Sequence, residues 1–83
     1  MDFVVIWSDP AKKDLSELQR ETVIQILKKV RLAEENPHRF IHKLAGESVW
    51  RLRAGDYRVF CEINTEQKRI EIVKIRHRKN AYK

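Results

Sequence analysis

Cysteine is almost missing from this 83-residue chain: the single thiol, Cys61, has no second to pair with, which excludes an intrachain disulfide framework. Its position in Tyr57-Arg58-Val59-Phe60-Cys61-Glu62-Ile63 puts it with Tyr57, Val59 and Ile63 on a core face, and no neighbouring base accompanies it, so it reads as a buried thiol rather than a nucleophile. Long apolar runs are missing too. The longest, Phe3-Val4-Val5-Ile6-Trp7, falls far short of the roughly 20 residues that span a bilayer, and it is too short and badly flanked for a signal peptide. No membrane partner is expected, and the chain is placed in the cytoplasm. His38 and His42 have no carboxylate or cysteine at ligand spacing, so neither a metal site nor a cofactor is expected. With no internal repeat, low-complexity tract or linker, residues 1–83 form one domain, just above the roughly 70 to 80 residues at which a single core becomes self-sufficient.

Positive charge is plentiful, and it is unevenly placed. Residues 1–38 hold six Lys/Arg against seven Asp/Glu, whereas residues 39–83 hold twelve against five, so the net charge of +6 belongs to the second half. Such asymmetry points to a polyanion, nucleic acid before membrane. The pattern sharpens this. Cations alternate with apolar residues in Trp50-Arg51-Leu52-Arg53, in Tyr57-Arg58-Val59-Phe60 and in Ile72-Val73-Lys74-Ile75-Arg76-His77-Arg78. A strand sends successive side chains to opposite faces, so Arg51, Arg53, Arg58, Lys74, Arg76 and Arg78 share one surface while Trp50, Leu52, Tyr57, Val59, Val73 and Ile75 face a core. By the same counting Ile70 and Ile72 fall on the basic surface, where Phe40 or a bound partner is needed to cover them. Trp7 and Trp50 read as packing residues, with base stacking open to Trp50 if it is exposed.

The local signals predict β-α-α-β-β-β. Residues 2–7 read as a strand; Ser8 or Asp9 caps a first helix with Pro10 in its opening turn and Ala11, Leu15 and Leu18 on its apolar side. A second helix spans about residues 21–35, with Val23, Ile26, Leu27 and Val30 on one face, and Asn36-Pro37 stops it. Residues 38–47 are expected to be irregular, with Phe40 and Leu44 plugging the core edge. Strands follow over 49–54, 56–64 and 69–78, joined by Ala54-Gly55-Asp56, where Gly55 takes a positive φ, and by Thr65-Glu66-Gln67-Lys68. The fold class is α+β, an antiparallel sheet packed against an N-terminal helical hairpin.

In that order and spacing the chain resembles the RelE/ParE superfamily of bacterial and archaeal toxins, and more closely the RelE branch of messenger-RNA interferases. The resemblance is carried by Lys43-Leu44-Ala45-Gly46, by Trp50-Arg51-Leu52-Arg53-Ala54-Gly55-Asp56-Tyr57-Arg58-Val59, and by Ile75-Arg76-His77-Arg78-Lys79-Asn80-Ala81-Tyr82. It implies a RelE-like microbial ribonuclease fold and a toxin that cleaves messenger RNA in the ribosomal A site without a metal, through attack of the RNA's own 2′-hydroxyl. It also implies a neutralising antitoxin. Matched position by position, the family's functional residues correspond to Arg51 and Arg53, Arg58, Arg76 and Tyr82. Enterobacterial relatives carry lysines where this chain has Arg51 and Arg53.

The chemistry assigns roles within that resemblance. Arginine grips phosphate bidentately and stays charged, which suits neutralisation of a phosphorane and not proton removal. Arg58 and Arg76 are therefore expected to stabilise the transition state, and Arg51, Arg53, Lys74 and Arg78 to hold the RNA backbone. Tyr82 is expected to stack on a base or move a proton. His77 has the best intrinsic pKa for acid-base work, but alternation sets it on the face opposite Arg76 and Arg78, which favours a capping or core-edge histidine unless the strand ends or bulges there. Three functions fit: a ribosome-dependent endoribonuclease, a ParE-like inhibitor of DNA gyrase, and a non-catalytic relative that binds RNA or antitoxin.

Overall fold

The computed structural model describes residues 2–43, 46 and 48–79. The β-branched start forms β1 (Val4–Trp7), and Ser8 turns the chain into α1 (Asp9–Ser16) by accepting the Ala11 amide on its hydroxyl at 3.1 Å. α2 (Arg20–Glu35) follows, then a single turn, α3 (Pro37–Phe40), and the strands β2 (Ile41–Lys43), β3 (Trp50–Ala54), β4 (Tyr57–Asn64) and β5 (Arg69–His77). These five strands make one sheet in the order β1-β5-β4-β3-β2. The pairing is antiparallel from β2 through β5, while β1 joins the far side of β5 in parallel, Val5 opposite Ile70 and Trp7 opposite Ile72. The sheet is thus mixed, because the helices between β1 and the remaining strands carry the chain back across one face before the meander begins.

Both helices lie on one face of the sheet. There Ala11, Ile26, Val30 and Ala33 meet Ile41, Leu52, Ala54, Val59, Cys61, Ile70, Ile72 and Ile75 in one buried cluster, with Trp7, Trp50, Tyr57 and Ile63 packed around it. Trp50 also meets His38 edge-on at 5.9 Å, so both tryptophans act in packing. Among the described residues the opposite face of the sheet carries no helix. No helix among the described residues is long and apolar enough to cross a membrane.

Three local expectations change. Residues 38–43 are not irregular: Pro37, having ended α2, starts the one-turn α3, and Ile41–Lys43 then pairs with β3 as an edge strand. Phe40 packs against the core as expected, whereas Leu44 lies outside the described residues. In α2 the buried stripe runs Ile26, Val30, Ala33, and Leu27, 43% exposed, looks to solvent. Finally, Ile70 and Ile72 need no cover. The register slips between Phe60 and Cys61, whose partners are Lys74 and Ile72, so Val73 is an extra residue on β5. This bulge shifts the alternation by one. Ile70, Ile72 and Ile75 all reach the core, and Lys74 and Arg76 stay on the open face.

Candidate functional site

Cross-strand register turns the alternating cations into two rungs on the open face. One is Arg53, Arg58, Arg76, directly opposite one another on β3, β4 and β5; the other is Arg51, Phe60, Lys74. Three like charges in one rung repel, so each needs local compensation. Arg58 folds its Nη1 back toward the Gly55-Asp56 turn, donating to the carbonyls of Gly55 and Tyr57 at 3.1 Å each. Gly55 permits this turn with φ +60°. As a residue Arg58 is 8% exposed, and desolvation, with the charges of Arg53, Arg51 and Arg78, holds its pKa below the ordinary arginine value while Asp56 acts against the shift. A cation held among other cations favours the approach of an anion.

Arg76 is compensated from the other side. β1 stops at Trp7, which leaves the next stretch of the β5 edge to α1: the Ser8 hydroxyl donates to the carbonyl of Val73 at 2.8 Å, and Asp14 Oδ2 accepts the Ile75 amide at 2.9 Å. The same Oδ2 accepts Arg76 Nη1 at 2.8 Å, and Nη1 also donates to the Ile75 carbonyl. Asp14 was absent from the sequence-based site, since nothing local links residues 62 positions apart. Arg78 follows β5 and closes the site's end: its amide donates to the Asp56 carbonyl at 2.7 Å, and its Nη1 lies 3.8 Å from Asp56 Oδ1.

The second rung holds an aromatic ring that the sequence reading passed over. Phe60 is 7% exposed although it points away from the helices, and Lys74 Nζ stands 5.1 Å from its centroid. Its place among the arginine positions of the alternation was the available signal. Toward the other end of β4 and β5 the character of the face changes. Glu62 opposes Glu71, Arg69 pairs with Glu71 at 3.2 Å, and Val4 and Ile6 are exposed on β1. The cationic part is therefore confined to the end nearest the Gly55 turn.

His77 does not join the arginines. It sits opposite Tyr57 on the helix side, the two rings edge to face at 5.2 Å, and its Nδ1 accepts the Lys79 amide at 3.2 Å as the strand ends. Tyr82 lies outside the described residues. Cys61 is fully buried, and desolvation pushes its thiol up to about 12. Among the described residues no three His, Cys, Asp or Glu side chains gather where they would hold a metal ion.

Known proteins share this fold. Residues 5–82 match the ParE toxins of type II toxin–antitoxin systems, parDE, as a sequence family. No curated protein sequence matches the chain. Among solved structures, the archaeal RelE–RelB complex from Pyrococcus horikoshii is similar at 30% identity and TM-score 0.80, covering 98% of this chain and 100% of that one. A RelBE toxin–antitoxin complex from Mycobacterium tuberculosis superposes with TM-score 0.85 at 21% identity, over 93% of this chain and 99% of that one. A variant of the Escherichia coli toxin RelE in the free state gives TM-score 0.80 at 20% identity, over 99% and 90%.

Proposed function

This chain belongs to the family of ParE toxins of type II toxin–antitoxin systems, and from its arginine rung and its likeness to the archaeal RelE structure we propose that it is a toxin of the RelE kind, a ribosome-dependent endoribonuclease that cuts messenger RNA in the A site. The observation that carries the reading is the rung Arg53, Arg58, Arg76, with a buried cation at its centre. Attack by the 2′-hydroxyl oxygen on the adjacent phosphorus forms a 2′,3′-cyclic phosphate and breaks the bond to the 5′-oxygen, the 2′-hydroxyl giving its proton to water and the departing 5′-oxygen taking one from water, directly or through Tyr82. Charge builds on the non-bridging oxygens along the way. Fixed guanidinium groups at Arg58 and Arg76 neutralise it, and they pay no solvent reorganisation to do so. Arg51, Arg53, Lys74 and Arg78 hold the flanking phosphates, and Tyr82 stacks on a base or carries a proton. Neither arginine is a base near neutral pH, so in-line orientation on the ribosome supplies much of the rate. His77, facing the helices, is assigned a capping role.

A cognate antitoxin is the second part of the proposal, as in the RelE–RelB complexes to which the chain is similar. An acidic segment lying over the rung would satisfy Arg58 and withdraw it from RNA.

Primer extension across a reporter message in a purified translation system tests the enzymatic reading. Cuts within codons are expected only with ribosomes present, and Arg58→Ala or Arg76→Ala should lower the rate about a hundredfold or more, the scale set by losing one donor to a developing oxyanion. Intact message in every lane would sink the reading. A supercoiling assay would then ask whether the chain inhibits gyrase.

A further inference from the structure

We propose that Asp14 is a positioning residue for the cleavage reaction, holding Arg76 so that one side of its guanidinium is presented to the scissile phosphate. The inference rests on the endoribonuclease reading above. One carboxylate oxygen, Asp14 Oδ2, accepts both the Ile75 amide at 2.9 Å and Arg76 Nη1 at 2.8 Å, so the bond to the backbone fixes where the carboxylate stands and the carboxylate fixes the guanidinium. A third bond, Nη1 to the Ile75 carbonyl at 2.8 Å, closes a small ring of contacts around one nitrogen. Both acceptors take Nη1. Among the described residues nothing takes the Nη2 and Nε edge, which can form the two-pronged grip that a phosphate accepts from arginine, and the side chain is 42% exposed, enough to reach it.

Electrostatics gives the same assignment. Arg76 stands opposite Arg58 in the register, and an unanchored arginine in that place would swing toward solvent to escape the repulsion. Asp14, 26% exposed and on the helix side of the β5 edge, supplies the opposing charge without entering the RNA-facing surface. Its negative charge does nothing to attract RNA. Removing it makes the face more positive, so the substrate should bind as well as before or better while the chemical step slows. That separation distinguishes a residue that orients a catalytic group from one that binds.

The experiment is single-turnover cleavage on programmed ribosomes with the wild type, Asp14→Ala, Asp14→Asn, Arg76→Ala and the double variant Asp14→Ala with Arg76→Ala, each checked by thermal melting. Asparagine keeps an acceptor for the Ile75 amide and so guards against a loss of fold. The saturating rate should fall about tenfold to a hundredfold in both Asp14 variants, as misplacement of a reacting group by a fraction of an ångström does, with the half-saturating concentration unchanged or lower. In the Arg76→Ala background the Asp14 change should cost nothing further. Additive losses, or a rate unchanged or raised in Asp14→Asn, would overturn the proposal. If the wild type itself does not cut, the endoribonuclease reading has failed, and the hold of Asp14 on Arg76 is judged apart from it by the guanidinium NMR signals of Arg76. A restrained guanidinium that becomes mobile in Asp14→Ala supports it, and the same mobility in both proteins overturns it.

Discussion

Arg58 and Cys61 stand three positions apart on β4, point to opposite faces, and are both buried, with contrary results. For Cys61 burial favours the neutral thiol, whose pKa of about 12 lies well above that of an unfolded cysteine. A raised pKa adds stability that is complete below the unfolded value and is lost as pH climbs through the interval up to the folded one. Urea unfolding is therefore expected to lose up to about 1.4 kcal/mol per pH unit above about pH 9, and Cys61→Val should flatten that part of the profile. Equal slopes in the two proteins would contradict this. The native thiol should also resist iodoacetamide at pH 8. For Arg58 a milder desolvation acts on a charge that persists, offset in part by the Gly55 and Tyr57 carbonyls and by Asp56. Alternation alone pointed Arg58 to the open face and Cys61 to the core. It gave no hint of Asp14, because an isolated aspartate in a helix carries no mark of the strand edge it will meet.

Among the elements β5 departs most from its own pattern. Its isoleucines at 70, 72 and 75 cannot all face one way in a regular strand, and the extra residue at Val73 lets them do so. Deleting Val73 leaves Ile70-Glu71-Ile72-Lys74-Ile75 in plain alternation with all three isoleucines on the core face, so a cooperative melt by circular dichroism should survive, each such side chain being worth roughly 1.5–3 kcal/mol when buried. Loss of that melt would show that the bulge does more than correct the phase of the strand. The sequence contained this conflict openly, in an isoleucine run out of phase with the arginines, but a strand read by a period of two has no place for a bulge. The short elements at residues 37–43 escaped notice for a related reason. A one-turn helix and a three-residue edge strand are too brief to show a period and are held by neighbours that only the tertiary structure supplies.

At the scale of the molecule, charge is sorted along the sheet: cations at the Gly55 end, Glu62 and Glu71 toward the other. Nucleic-acid affinity should accordingly depend steeply on salt. With four or five phosphates engaged, a plot of log K against log salt for single-stranded RNA should fall with a slope of about −3, and Arg53→Ala should make it shallower by about 0.7. A flat plot would exclude the rung as a phosphate site. The layered α+β plan, the helices on one face and the basic surface on the other were legible from composition and period. The parallel seat of β1 was not, since β5, its neighbour in the sheet, lies some sixty residues further along the chain. That seat has a consequence in time. β5 is threaded between β1 and β4, so the first strand to be translated waits for the last before its hydrogen bonds can form, and the arginine rung stays incomplete until then. On the role proposed for the rung, the nascent chain carries no complete site until β5 pairs on both sides, and the delay gives a neutralising partner a window in which to arrive first.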